Sequence, residues 1–125
     1  MADRAIWRLR DIKKSIVEIT SLLRGKSFEE MYGDAVTRAA FERFLEILSE
    51  ASRYVPDDWK ARHGSEIPWR RVADLGNLIR HAYHRIDAKA LWSIYEDDLA
   101  PLERAVDAML TAHGPTEGGS LEKQQ

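Results

Sequence analysis

Five polar side chains capable of chemistry recur at helical spacing between residues 69 and 86: Arg70, Asp74, Asn77, His81 and His84. At about 100° per residue they fall within roughly 80° of arc on a helical wheel. Val72, Leu75, Ile79, Ala82 and Ile86 gather on the opposite side, so that face is expected to enter a core. Solvated helix faces are usually Lys and Glu at i,i+4, whereas histidine and asparagine are poor helix formers. An imidazole gives or takes a proton near neutral pH. The stripe therefore reads as an acid–base or binding site, set against the plainer alternative of a solvent-facing surface. Asp74, His81 and His84 also raise the question of a metal. A full ligand set would need other helices, and His63 in a loop and His113 at a helix end are poorly placed to complete it. No metal or cofactor is expected.

The elements that must hold this stripe follow from hydrophobic spacing and punctuation. Ile6, Leu9, Ile12, Ile16, Ile19 and Leu23 form one stripe of a first helix, closed by Gly25. Ser27-Phe28-Glu29-Glu30 reads as a capping box opening a short helix up to Gly33. Asp34 can cap a helix with Val36, Ala40, Phe41, Phe44, Ile47, Leu48 and Ala51 inside, ending before Pro56. Residues 57–66 read as a loop with one helical turn around Trp59. Pro68 suits the first turn of a third long helix reaching Tyr83. Asp87 can cap a fourth, with Leu91, Ile94, Tyr95, Leu102, Val106 and Met109 inside and a kink or break at Pro101. No strand or hairpin pattern appears. The expected architecture is all-α, an up-down bundle of four long helices plus a short one over residues 1–113, with a disordered tail over 114–125.

Composition bounds the function. The chain has 125 residues, with 19 Lys and Arg against 21 Asp and Glu, a net charge of −2. That excludes a domain holding nucleic acid by bulk positive charge, so any RNA must be held by a local cluster of Arg and His. With no cysteine, disulfides and thiolate zinc sites are excluded. No apolar run spans a membrane and no leader precedes the first helix, so a cytoplasmic protein is expected. Trp7, Trp59, Trp69 and Trp92 are read as core or subunit-interface anchors rather than base-stacking platforms.

Several of these segments together resemble the HepT-like toxin family of the HEPN superfamily of α-helical ribonucleases. The resemblance is carried by Ile67-Pro68-Trp69-Arg70, Asn77-Leu78-Ile79-Arg80-His81-Ala82-Tyr83, Ile86-Asp87 and Trp92. Ser27 to Glu30, the stretch from Leu45 to Ala51, and Asp98-Leu99-Ala100-Pro101-Leu102 add to it, so that residues 8 to 110 are covered in order. The family motif is an arginine, four residues, a histidine, one residue and a tyrosine, with asparagine usually following the arginine. Asn77, His81 and Tyr83 match it, but Gly76 stands where the arginine belongs.

The resemblance implies metal-independent RNA cleavage by a homodimer, in a toxin paired with a minimal nucleotidyltransferase antitoxin. His81 would act as base or acid, Asn77 would position it or the phosphate, and Tyr83 would accept AMP from the antitoxin. An arginine normally stabilises charge on the phosphate, and Gly76 removes it. Arg80 and Arg70 are the available substitutes, although neither repeats the family spacing. Gly76 itself reads as a site of close helix packing or as a substitution that disarms the protein. The alternative function is a non-catalytic HEPN module, the partner- or substrate-binding subunit of a nucleotidyltransferase.

Overall fold

The structure is a computed structural model, and it describes residues 2–81 and 84–115. Tyr83 and residues 116–125, most of the expected tail, lie outside the described residues. Every regular element among the described residues is helical, as the absence of period-two patterning requires. The elements are α1 (Ala2–Leu23), α2 (Phe28–Gly33), α3 (Ala35–Ser52), α4 (Asp57–His63), α5 (Trp69–Ala73), α6 (Leu75–Arg80), α7 (Arg85–Ser93), a π-helical turn (Ile94–Asp98) and α8 (Leu99–His113).

α1 packs along both α3 and α8, and its stripe is the spine of the core. Leu9, Ile12, Ile16, Ile19 and Leu23 are essentially inaccessible. They meet Phe41, Leu45 and Leu48 of α3 and Leu102, Val106 and Met109 of α8 in one apolar cluster. Gly25 adopts a left-handed φ of 77° just past the end of α1, where a side chain would be strained. The capping box forms as its residues require. Ser27 Oγ accepts from the Glu30 N–H at 3.1 Å, and Glu30 Oε1 accepts from the Ser27 N–H at 2.8 Å. Asp34 caps α3, with its carboxylate accepting from the Thr37 hydroxyl at 2.7 Å and the Val36 N–H at 3.2 Å. The buried row of α3 runs through Thr37, Phe41, Leu45, Leu48 and Ser52. Val36, expected inside, sits in the first turn and is 79% exposed.

Three expectations are corrected. Residues 57–63 form a helix rather than a loop with one turn. Acidic Asp57 and Asp58 stand at its start and Lys60, Arg62 and His63 at its end, the charge order that suits the helix dipole, while Trp59 anchors it in the core. The fourth helix does not break at Pro101. It begins at Arg85, with Asp87 in its first turn and not at the cap, and runs to His113 through the π-helical turn. That widened turn contains Asp97, the residue whose carbonyl the Pro101 ring crowds and leaves without a donor.

The third correction concerns the helix that carries the candidate site. It is not one helix to Tyr83 but two short ones hinged at Asp74, whose backbone sits at φ −94° and ψ 5°. The cause lies on α3. Ser49 Oγ donates to the Ala73 carbonyl at 3.1 Å and Arg53 Nη2 donates to the same oxygen at 2.9 Å. A continuous helix would offer that carbonyl to the Asn77 N–H, which instead donates to the Asp74 carbonyl at 3.0 Å. Val72 and Leu75 still enter the core as expected and Ile79 packs against it partly buried. Ile86 does not, being 83% exposed, because it belongs to the next helix and the wheel phase is lost at the turn. Among the described residues no helix is long and apolar enough to cross a membrane.

Candidate functional site

α6 presents its polar edge to solvent. Asn77, Arg80 and His81 are all exposed, and the Asn77 side-chain oxygen accepts a hydrogen bond from the Arg80 guanidinium. His81 is the C-cap residue of α6, its N–H donating to the Leu78 carbonyl at 3.1 Å. The structure thus gathers Asn77, Arg80 and His81 within about one turn. The other members of the predicted stripe lie outside α6. Arg70 lies on α5 beyond the hinge, Asp74 is the hinge, and His84 is the extended N-cap residue of α7. Among the described residues no three His, Cys, Asp or Glu side chains come together as a metal site, so the Asp74, His81 and His84 grouping is not assembled.

Among the described residues Gly76 is not a packing requirement. A Cβ built there meets only the tip of Arg80 among them, with Nη1 at 3.9 Å, so the close-packing explanation of this glycine is corrected. Gly64 shows the opposite case. A Cβ there would stand 3.1 Å from both Ala105 Cβ and Trp69 Cζ2.

Two clefts flank α6. The larger, about 540 Å³, is lined by Pro68, Arg70, Arg71, Asp74, Asn77 and Leu78. The smaller, about 300 Å³, opens between α6 and α3 over Gly76 and Arg80. Guanidinium groups on both sides of an imidazole-bearing edge suit a chain of phosphates, because Arg offers paired donors in a fixed fork.

Sequence reasoning missed two of these arginines. Arg71 reaches the end of α7 and the π-helical turn, donating to Ser93 Oγ at 3.1 Å and lying 3.9 Å from Asp98 Oδ2. That oxygen is buried and makes no hydrogen bond among the described residues, so the nearby cation offsets part of its burial cost. Arg53 joins the site from the C-cap of α3 through the Ala73 carbonyl. Neither has a signal in local periodicity, since the partners are about 20 residues or more away.

A second histidine grouping was also missed. His63 Nε2 and His113 Nε2 lie 3.2 Å apart, and the Trp59 ring stacks on His113 at 3.9 Å between centroids. This ties α4 to the end of α8, remote in sequence from α6. Of the four tryptophans, Trp59 and Trp92 are buried, Trp69 is partly buried with its Nε1 donating to the Gly64 carbonyl at 2.8 Å, and Trp7 is 64% exposed.

Comparison with known proteins points to one family. The sequence profile of the family described as "Ribonuclease HepT-like" matches residues 12–109. A probable ribonuclease HepT of Thermococcus cleftensis is 38% identical over 95 residues, covering 76% of this chain and 86% of that protein. A putative RNase of Methanocaldococcus jannaschii is 30% identical over 99 residues, 79% of this chain and 90% of the relative. A third relative, a putative RNase of Caldanaerobacter subterraneus, is 31% identical over 88 residues, 70% of this chain and 78% of its own length. No solved structure matches the chain. With an all-α bundle whose polar helix edge carries the motif asparagine and histidine, and with the profile spanning most of its length, the chain belongs to the HepT-like ribonuclease family of the HEPN superfamily.

Proposed function

We propose that this protein is a metal-independent RNA endonuclease and the toxin component of a toxin–antitoxin pair, working as a homodimer in the cytoplasm. What supports this best is the exposed edge of α6, where Asn77, Arg80 and His81 stand together in a chain of a ribonuclease family. His81 takes the proton of a ribose 2′-OH, whose oxygen attacks the adjacent phosphorus. The bond from phosphorus to the 5′-oxygen breaks, and a proton from an acid or from water goes to that leaving oxygen. Negative charge grows on the phosphate oxygens during attack, and Arg80 stabilises it while Asn77 holds the Arg80 guanidinium in place.

The motif position held by Gly76 supplies no cation. Losing one charge-stabilising group of this kind costs on the order of 10²–10³ in rate, so the chain as it stands is a weakened nuclease unless Arg80 makes up the difference. Tyr83 is the acceptor of AMP from a cognate minimal nucleotidyltransferase. The added anion, two residues from His81, repels RNA and fills the space it needs.

The test is cleavage of a labelled single-stranded RNA and tRNA pool, with EDTA present, by the chain, Gly76→Arg and His81→Ala. Cleavage that disappears in His81→Ala supports the reading, and a gain in Gly76→Arg assigns the impairment to position 76. Cutting by none of the three would favour the second reading, a non-catalytic HEPN module that binds the nucleotidyltransferase or its substrate. The observation that favours that reading is Gly76 itself.

A further inference from the structure

The smaller cleft has one wall from α3, with Arg43, Glu46, Glu50 and Arg53, and the other from α6, with Gly76 and Arg80. Its floor at Gly76 lacks a side chain, and the nearest group to a Cβ position there is the Arg80 guanidinium at 3.9 Å. A ligand entering over Gly76 therefore meets main chain and a cation, not a wall of side-chain atoms.

Two guanidinium groups face this space from opposite walls, and each is already held. Arg53 Nη2 donates to the Ala73 carbonyl at 2.9 Å, and Arg80 Nη2 donates to the Asn77 side-chain oxygen. Each of these bonds uses one nitrogen of a five-donor fork, so further donors remain for a ligand. Anchoring also reduces the side-chain entropy that binding would otherwise have to freeze.

The charges in the cleft do not cancel. Arg43 Nη1 lies 3.2 Å from Glu46 Oε1, which pairs those two with each other. Arg53 and Arg80 are then set against Glu50 alone. A cleft of about 300 Å³ with surplus positive charge, donors from two sides and an open floor is suited to a compact anion with several acceptor oxygens.

We propose that this cleft is a phosphate subsite, in which Arg53 and Arg80 hold one backbone phosphodiester of bound RNA from opposite sides. The inference deepens the ribonuclease reading and rests on it. It assigns a binding role to Arg53, the C-cap residue of α3 and outside the motif region, and explains how RNA is gripped by a chain with no net positive charge. Glu50 opposes the anion and weakens the grip.

The experiment uses the full chain carrying His81→Ala, to keep RNA intact, and two probes: inorganic pyrophosphate and a fluorescent ten-nucleotide single-stranded RNA. Arg53→Gln and Arg80→Gln are each expected to weaken binding of both probes by about tenfold or more, and to lower the salt slope of RNA binding by about one. Glu50→Gln is expected to tighten both. Arg104→Gln, an exposed change on α8, should leave affinity unchanged. Because Arg53 also holds Ala73, circular dichroism melting of each variant establishes that it is folded, and Arg53→Lys, which keeps the charge, should retain more affinity than Arg53→Gln. Unchanged affinity and salt slope in the folded Arg53→Gln, Arg80→Gln double variant would overturn the subsite. Should the parent chain still cut RNA in a His81-dependent manner, the nuclease reading stands without it. RNA binding that requires both arginines in a chain that cuts nothing would keep the subsite and overturn the nuclease reading.

Discussion

The side-chain oxygen of Asn77 accepts a hydrogen bond from the guanidinium of Arg80, one turn further along α6 and next to His81. The contact links the motif asparagine to a cation that lies beside Gly76. Asn77→Ala releases Arg80, and is expected to lower single-turnover RNA cleavage by about tenfold, the usual worth of a hydrogen bond to a charged group. Asn77→Asp keeps an acceptor for Arg80 and should lose less. Equal losses in the two variants would show that the Arg80 contact is not what Asn77 contributes.

Gly76 and Gly64 should respond to alanine in opposite directions. At Gly76 an added Cβ meets open space and one flexible tip, so Gly76→Ala is expected to stabilise the fold by roughly 0.5–1 kcal/mol in urea titration, through helix propensity and a less flexible unfolded chain. At Gly64 the same methyl would press on Ala105, Trp69 and Ile67 at 3.1 to 3.3 Å, and Gly64→Ala should destabilise. If Gly76→Ala proved as damaging as Gly64→Ala, the open space at position 76 would be wrong.

The Asp34 cap carries a pH signature. The Thr37 hydroxyl foremost, with the backbone N–H groups of Val36 and Thr37, holds its exposed carboxyl below the ordinary aspartate value, outweighing the desolvation that opposes them. A carboxyl depressed by folding contributes stability that is complete above the unfolded value near 3.8 and is lost as pH falls through the lower folded value. Asp34→Ala should therefore lower the Tm at pH 7, with the gap to the parent closing as pH drops below that range. A constant gap down to the acid limit would contradict the cap.

Lys13 ties α1 to α8 through Glu103 at 2.8 Å and Asp107 at 3.0 Å. These hydrogen bonds, that to Glu103 foremost, raise the Lys13 ammonium above its ordinary value. The contribution is then complete below about 10.5 and lost as pH rises through the higher folded value. The side chains of Lys13 and Glu103 are each about 35% exposed and Asp107 more so, so screening keeps the effect small. Lys13→Met is expected to cost at most about 1 kcal/mol at pH 7 in urea titration. A loss of several kcal/mol would mean that the network is far less solvated than this.

A buried apolar deletion sets the contrast. Leu45 is fully inaccessible at the centre of α3, and Leu45→Ala should cost about 2–5 kcal/mol by denaturant titration. A change below 1 kcal/mol would place Leu45 outside the core.

Local chemistry determined a large part of this molecule. The stripe of α1, the left-handed Gly25, the reciprocal Ser27 and Glu30 cap, the Asp34 cap and the stop at Gly114 all depend on groups within four residues of one another. Spacing alone therefore sufficed to read them, and it also put Asn77 and His81 on one exposed edge, although it left Arg80 outside that stripe. Tertiary structure decided what distant groups do to that edge. Ser49 and Arg53 capture the Ala73 carbonyl, which divides the expected long helix at Asp74 and leaves Arg70 and His84 on other elements. The exposure of Ile86, the pairing of His63 with His113 and the cleft shared by Arg53 and Arg80 have the same origin. Each follows from groups brought together by packing across many residues, where a wheel drawn for one helix has no information.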